Sequence, residues 1–241
     1  MDISIIIPAF NEKDRISETI NKIVNFFSKN NFKYELIIVD DGSTDNTVEI
    51  IELLSQKYLS SEIKILKNQK NKGKGFSVKQ GVLNSKFDLV LFSDADLSTP
   101  IEELSKMIPL IKEYDLVIAS RNLPESNIVI KQPLLRRFLG NIFPYLIKLF
   151  VIRGIKDTQC GFKLFQRKAA INIFKRLTID RFCFDVEVLY LAKKLGYSTK
   201  EVPVKWYNSG ASKVHIIKDT FNMFYSVFLI FFRHRKIKSQ S

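Results

Sequence analysis

The first 120 residues alternate between short apolar runs, rich in β-branched residues, and longer segments in which apolar residues recur every three or four positions. The short runs predict strands at residues 3–8, 34–40, 62–66, 87–94 and 115–120. The longer segments predict amphipathic helices, with apolar stripes at Ile16, Ile20, Ile23, Val24 and Phe27 and at Val48, Ile51, Leu54 and Tyr58. Strands that are apolar throughout are typical of a parallel sheet covered on both faces. The pattern therefore predicts an α/β fold with a doubly wound, mostly parallel sheet.

Three polar stretches follow predicted strands: PAFNE at 8–12, DDGSTD at 40–45 and SDADLSTP at 93–100. Because ligands bind beyond the carboxyl ends of the strands in open α/β sheets, we expect all three to open onto one edge. The last stretch also predicts the start of a helix. Thr99 is the expected N-cap, Pro100 the first helical residue, and Glu102 the partner in a capping box.

Beyond residue 121 the sequence becomes more apolar, with interspersed prolines and arginines. We expect a main domain over residues 1–213 and, over 214–241, a C-terminal amphipathic helix ending in a frayed basic tail. Residues 133–154 and 219–238 suit helices that lie on a membrane surface, although core packing or a dimer contact explains them as well. Neither contains the 18 or so continuous apolar residues that a spanning helix needs. With no signal-peptide pattern at the N-terminus, we expect a peripheral protein on the cytoplasmic side of a membrane.

The net charge of +13 points to an anionic partner, which could be a nucleic acid, a phosphorylated ligand or an acidic membrane. A nucleic-acid-binding α/β protein is the alternative from a different functional class. It is disfavoured because the basic residues are spread over amphipathic helices while acidic residues gather at strand ends. Two cysteines and two histidines are too few for a zinc cluster, and we expect Cys160 and Cys183 to be reduced thiols.

Two acidic pairs are the strongest chemical signals. Asp94 and Asp96, one residue apart after a strand, can both approach one hard divalent cation, although helix capping and solvation also explain such a pair. Asp40 and Asp41 can accept hydrogen bonds from the base or ribose of a nucleotide. The first strand is not followed by GxGxxG and the chain has no GxxxxGK[ST], while NKGKG at 71–75 is only a basic glycine loop.

The motifs together resemble a known family. SIIIPAFNE, LIIVDDGSTD, NKGKGFSVKQG, FSDADLSTP, VIASR, DTQCGFKLF, FDVEVLYLAKKLGY and VPVKW, spread over residues 2–213, occur in the order seen in inverting GT-A-fold glycosyltransferases of family 2. They look most like the dolichyl-phosphate glucosyltransferase branch, beside the polyprenyl-phosphate mannosyltransferases. The resemblance implies hexose transfer from a nucleotide sugar, preferably UDP-glucose, to a polyprenyl or dolichyl phosphate, with Mg²⁺ or Mn²⁺ as cofactor. GDP-mannose is the alternative donor, disfavoured because mannosyltransferase relatives often have Gln where this chain has Ser98.

The resemblance also assigns roles to donor-site residues. Those expected to hold the nucleotide are Pro8, Ala9, Glu12, Asp40 and Asp41. Those expected to hold the metal and the donor diphosphate are Asp94 and Asp96. Two basic residues are expected near the donor phosphates, Arg121 beside the sugar nucleotide and Lys213 closing over it.

The acceptor side is less defined by sequence. A lipid monophosphate is already anionic near neutral pH, so it can attack without a strong general base. Asp157 is the remaining carboxylate that could orient or assist the acceptor, although a turn role explains it nearly as well. The basic residues that could bind the acceptor phosphate, or equally could be solvated, are Lys131, Arg136 and Arg137.

Overall fold

The structure, a computed structural model, describes residues 2–30, 32–58, 62–129, 154–207 and 216–237, with only the backbone for 216–224. The strands are β1 (Asp2–Ala9), β2 (Lys33–Asp40), β3 (Glu62–Lys67), β4 (Leu89–Ser93), β5 (Leu116–Ser120), β6 (Asn127–Ile128), β7 (Phe162–Gln166), β8 (Thr199–Pro203) and β9 (Lys205–Trp206). The α-helices are α1 (Ile16–Asn30), α2 (Thr47–Lys57), α3 (Lys74–Leu83), α4 (Leu104–Met107), α5 (Arg167–Lys175), α6 (Phe184–Lys194) and α7 (Ile216–His234). Short 3₁₀ turns lie at Ile101–Glu103 and Leu110–Lys112.

Seven strands form one sheet in the order β3-β2-β1-β4-β7-β5-β8, and β6 pairs with β9 in a separate ribbon. All pairs in the large sheet are parallel except those of β7, which runs antiparallel to both β4 and β5. The prediction of a mostly parallel α/β sheet is confirmed, and each of the five predicted strands is present to within two residues.

The alternation of side chains along each strand divides the core into two apolar layers. On β1, Ile5 and Ile7 face the layer that contains α1 and α2, whereas Ile6 faces the layer that contains α3, α5 and α6. Helices therefore cover both faces, as the uninterrupted apolar strands predict.

The predicted capping box is wrong. The turn begins as a 3₁₀ segment at Ile101, Pro100 precedes it with an extended ψ of 146°, and no side chain caps its first N–H groups. The buried hydroxyl of Thr99 lies 3.6 Å from Cys160 Sγ instead. A long-range contact made by the segment entering β7 thus replaces the local cap.

The prediction of a frayed tail is wrong for residues 233–237. Helix α7 runs to His234, which is buried and whose Nε2 lies 2.6 Å from Oε1 of the fully buried Glu187 on α6. Ile237 packs against the same apolar layer. The end of α7 is fixed to α6 because the buried ring of His234 has a buried polar partner, Glu187.

Candidate active site

The carboxyl ends of β1, β2 and β4 form one edge, because β1 pairs in parallel with both of the other strands. This confirms that the three polar stretches open together. Two residues other than glycine adopt positive φ along this edge, Asn11 at 54° and Leu97 at 43°. Asparagine tolerates that conformation, but a leucine does so at a cost, and strain of this kind clusters at functional sites.

The loops after β1 and β2 are hydrogen-bonded to each other. The Asn11 N–H donates to Ser43 Oγ at 2.9 Å, and the Thr44 N–H donates back to Asn11 Oδ1 at 2.8 Å. The Asp41 N–H donates to the Ala9 carbonyl at 2.8 Å. Pro8 and Ala9, which are expected to contact the nucleotide, are the last two residues of β1. Ala9 is buried and Pro8 is partly exposed.

Asp40 and Asp41 are both buried, and their carboxylates accept hydrogen bonds from the chain itself. Asp40 accepts from the backbone N–H groups of Gly42 and Ser43, each at 3.1 Å. Asp41 accepts from the N–H groups of Lys72 at 2.9 Å and Gly73 at 2.8 Å. Asp41 also accepts from Asn68 Nδ2 at 2.9 Å. The pair therefore fixes the two loops that border the edge.

Asp94 is held between a lysine and a glycine. Lys74 Nζ lies 2.6 Å from Asp94 Oδ1, and the Asp94 N–H donates to the Gly161 carbonyl at 3.1 Å. A Cβ atom on Gly161 would collide with the Asp94 carboxylate, so only glycine leaves room for it. Neither partner was predicted from the sequence. The signals that could have found them are the lysine in the NKGKG loop and the glycine in DTQCGFK.

The electrostatics of this pair are strongly coupled. Burial raises the pKa of Asp94, Lys74 opposes that rise, and Asp96 and Asp185 add to it, so the pKa ends above its ordinary value. Burial lowers the pKa of Lys74, but Asp94 and Asp185 outweigh it, and the pKa of Lys74 is raised. The ammonium therefore stays charged beside the carboxylates.

Asp96 and Glu12 both lie beside the guanidinium of Arg15. The Ser98 N–H donates to Asp96 Oδ1 at 2.9 Å, and Arg15 Nη1 lies 3.8 Å from Asp96 Oδ2. Arg15 also pairs with Glu12 through Nε and Nη2. Arg15, which sequence analysis missed, thus connects the PAFNE loop to the second aspartate.

Arg121 and Asp157 form a bidentate ion pair. Arg121 Nε lies 2.7 Å from Oδ2 and Nη2 lies 2.8 Å from Oδ1, while the backbone N–H groups of Arg121 and Gln159 also donate to the carboxylate. Burial tends to raise the pKa of Asp157, but Arg121 and these N–H groups hold it below its ordinary value. Such a carboxylate is a poor proton acceptor, so the geometry favours orientation over base catalysis.

Both thiols fit the sequence expectation. Cys160 and Cys183 are free and buried. Burial raises the pKa of Cys160 to about 11, so its thiol is protonated near neutral pH. Neither cysteine is therefore suited to nucleophilic chemistry.

The family model for Glycosyl transferase family 2 matches residues 4–174. The chain belongs to that family. A dolichyl-phosphate beta-glucosyltransferase of Dictyostelium discoideum is 37% identical over 98% of this chain and 77% of its own length. A Drosophila melanogaster protein of the same name is 34% identical over 97% of this chain and 76% of its own length.

Solved structures share the fold at low identity. Mannosyl-3-phosphoglycerate synthase from Rubrobacter xylanophilus superposes with a TM-score of 0.71 at 18% identity, covering 98% of this chain and 74% of that one. The mannosyltransferase PcManGT from Pyrobaculum calidifontis, solved with GDP-Man and Mn²⁺, gives a TM-score of 0.60 at 17% identity, covering 88% of this chain and 57% of that one. These matches show a shared fold.

The carboxylates of Asp94 and Asp96 fit a hard divalent cation, which prefers oxygen ligands. Both offer carboxylate oxygens at the open edge, and Gly161 keeps space for the first of them. Among the residues that the structure describes, no group of three or more His, Cys, Asp or Glu side chains could hold a metal. A cation here would therefore need further oxygens, such as those of a donor diphosphate.

Four predicted positions lie outside the described residues. They are Lys131, Arg136, Arg137 and Lys213, and the proposed interfacial segment 133–154 is outside as well except for its last residue. Their assignments stay predictions.

Proposed function

We propose that this family 2 glycosyltransferase moves glucose from UDP-glucose to a dolichyl or related polyprenyl phosphate at the cytoplasmic face of a membrane. The observation that carries the reaction class is the Asp94 and Asp96 pair at the shared edge of β1, β2 and β4. The sugar and the acceptor are supported by the names of relatives that are 34% and 37% identical. The net charge of +13 suits two anionic substrates.

The reaction needs stabilisation of a leaving diphosphate more than it needs a base. An oxygen of the lipid phosphate bonds to C1 of the sugar while the bond from C1 to the nucleotide diphosphate breaks, with inversion at C1. Asp94 and Asp96 would hold Mg²⁺ or Mn²⁺, which would supply positive charge to offset the charge of that diphosphate. No proton is transferred when the acceptor enters as a phosphate dianion.

Among the basic residues that the structure describes, Arg121 is held in a geometry that suits binding a phosphate. Its guanidinium is fixed by two hydrogen bonds to Asp157 and lies 5.5 Å from the ring centre of Trp206. A guanidinium fixed in this way loses less conformational freedom when it binds an anion. We assign Asp157 the role of orienting Arg121.

The membrane contact is assigned to one face of α7. The rings of Tyr225, Phe228, Phe231 and Phe232 are 42–65% exposed, whereas Val227 and Ile230 are buried in the core. Exposed basic residues follow at Arg233, Arg235 and Lys236. Exposed aromatic rings followed by cations suit the boundary between lipid tails and anionic headgroups. Among the described helices, none is long and apolar enough to cross a membrane.

A donor panel tests the reaction. The full chain is incubated with Mg²⁺ or Mn²⁺, a short polyprenyl phosphate and labelled UDP-glucose, GDP-mannose or UDP-N-acetylglucosamine. We expect label in the organic phase only from UDP-glucose. If only GDP-mannose labels the lipid, GDP-mannose is the donor and the assignment of UDP-glucose is wrong. If free sugar is released without any lipid product, the assignment of the acceptor is wrong.

Liposome sedimentation tests the membrane face. Replacing Tyr225, Phe228 and Phe232 together with Ser should reduce binding to vesicles containing phosphatidylserine by about tenfold, since each ring contributes buried apolar area. The matched control is Leu53→Ser on α2, which removes an equally exposed apolar side chain elsewhere. Equal binding by the triple variant and the wild type would show that this face is not the anchor.

A further inference from the structure

Lys74 occupies an unusual place for a lysine. It is the first residue of α3, and its ammonium lies 2.6 Å from Asp94 Oδ1 and 5.2 Å from the ring centre of Phe92. The ring of Phe184 lies 5.9 Å away. The side chain is 24% exposed and that of Asp94 is 32% exposed, although the Asp94 Oδ1 atom itself is buried. The ammonium is thus paired with one of the two carboxylates that suit a divalent cation.

The backbone around Lys74 is fixed, so only its side chain can move. The N–H groups of Lys72 and Gly73 donate to Asp41, and the Phe76 N–H donates to the Asp180 carbonyl at 3.0 Å. Gly73 has a φ of 110° and packs so closely on the Asp180 carbonyl that a side chain would not fit. The four methylenes of the lysine are therefore the flexible part of this loop.

Asp185, another carboxylate near the ammonium, is already engaged, and Asp96 lies beside Arg15. Lys163 Nζ lies 2.5 Å from Asp185 Oδ1 and donates to the Cys160 carbonyl at 2.6 Å, and both members of the pair are buried. An ammonium pushed away from Asp94 would therefore gain most from an anion that arrives from outside. In a family 2 enzyme with a nucleotide-sugar donor, the diphosphate is such an anion.

We propose that Lys74 is an internal counter-ion of Asp94, which a divalent cation displaces and which then binds the donor diphosphate. This rests on the proposed function, because it takes Asp94 as a metal ligand and a nucleoside diphosphate as the donor group. Two cations cannot both approach Asp94 closely without repelling each other, so Lys74 opposes metal binding in the absence of donor. Once the diphosphate binds the ammonium, that opposition ends. Metal and donor therefore strengthen each other's binding, and linkage makes the effect reciprocal.

The test measures affinities and does not depend on turnover. Mn²⁺ binding to the full chain is followed by electron paramagnetic resonance without nucleotide and with saturating UDP, and UDP binding is followed by calorimetry in Mn²⁺. Lys74→Met removes the charge but retains an apolar chain over Phe92. Without UDP we expect this variant to bind Mn²⁺ about fivefold more tightly than the wild type, and in Mn²⁺ to bind UDP about tenfold more weakly.

Two further variants separate this role from general charge effects. Lys72→Met removes an exposed lysine two residues away, whose ammonium lies over the ring of Phe76, and should leave Mn²⁺ affinity without UDP unchanged. Lys74→Arg keeps the cation and should behave like the wild type. If Lys74→Met melts before the assay, Lys74→Gln replaces it, because its amide can still donate to Asp94 without carrying a charge.

The opposite outcomes are distinct. Unchanged or weaker Mn²⁺ binding without UDP in a folded, uncharged Lys74 variant would overturn the counter-ion role even if UDP binding falls. Failure of the wild type to bind both Mn²⁺ and UDP would instead reject the proposed donor site. Wild-type binding with no difference in the Lys74 variants would leave the proposed function standing and reject this inference alone.

Discussion

Two acidic pairs follow strands at the same sheet edge, yet they are neutralised in different ways. Asp40 and Asp41 are each 3% exposed and accept hydrogen bonds mainly from backbone N–H groups. Asp94 and Asp96 are more exposed and lie beside the side-chain cations of Lys74 and Arg15. Backbone donors are fixed by the fold, whereas a lysine or arginine side chain can move away. The first pair therefore builds the loops, while the second can exchange its partners for ligands.

The largest expected effect is a loss of transfer rate without a loss of stability when Asp94 or Asp96 is changed. Asp94→Asn and Asp96→Asn should each lower the transfer rate by about 10³-fold, as loss of charge stabilisation at a transition state does. Because these side chains support little of the core, melting temperatures should change by only about 2 °C. Asp88→Asn, an exposed aspartate near the opposite end of β4, is the control. More than half the wild-type rate in both variants at saturating Mg²⁺ would reject the metal assignment.

Asp41→Asn should act mainly on stability. An amide cannot accept all the hydrogen bonds of the buried carboxylate, which should lower the free energy of unfolding by about 3 kcal/mol. For a chain of this size that is a fall of about 6–12 °C in melting temperature. Thermal melting measures it. An unchanged melting temperature with lost UDP binding would show instead that Asp41 contacts the nucleotide.

Asp157→Asn should reveal a third kind of neutralisation, by a bidentate arginine. The pKa of Asp157 is lower in the folded state, so its stabilising contribution is present above its unfolded pKa of about 3.9 and is lost as pH falls through the folded value. At pH 7 the variant should be less stable, because Arg121 loses its charged partner. The loss should be only about 2 kcal/mol, because solvent screens the partly exposed Arg121. Melting curves of variant and wild type should converge as pH falls below about 4. A constant difference down to pH 2 would contradict the assignment.

Asp40→Ala should give the smallest change. If Asp40 contacts the nucleotide in addition to capping its own turn, UDP affinity should fall by about 20-fold, which is near the lower end of the roughly 1.5–3 kcal/mol of a charge-assisted hydrogen bond. Affinity for the lipid phosphate should not change. Calorimetry that finds UDP affinity unaltered would restrict Asp40 to the turn formed with Gly42 and Ser43.

The first five strands were predictable, whereas β6 to β9 were not predicted, and β7 is the informative case. Local periodicity predicts β1 to β5 and the first two helices because each buried face is encoded by neighbouring residues. Strand β7 was not predicted because Lys163 lies at its second position, and a buried lysine argues against a central strand. It is tolerated there because Asp185, on a helix that comes later in the chain, pairs with it.

The candidate site was also predicted only in part, because some of its contacts join residues that are distant in the sequence. The acids at strand ends and the edge they share follow from the order of strands, and the structure places the described ones as expected. Their partners did not follow. The contacts of Lys74, Arg15 and Gly161 with Asp94 or Asp96 form because α3, the turn before α1 and the segment before β7 meet the end of β4 in three dimensions.

The fold class, the family resemblance and the positions of the acidic pairs follow from the sequence, because they depend on periodicity and on motifs within a few residues. Which acids accept from fixed backbone donors and which face movable cations became clear only in three dimensions. That distinction depends on contacts such as Lys74 with Asp94 and Arg121 with Asp157, which join residues 20 or more positions apart. Contacts across such separations are set by the packing of whole elements, and a local pattern of residues does not encode them.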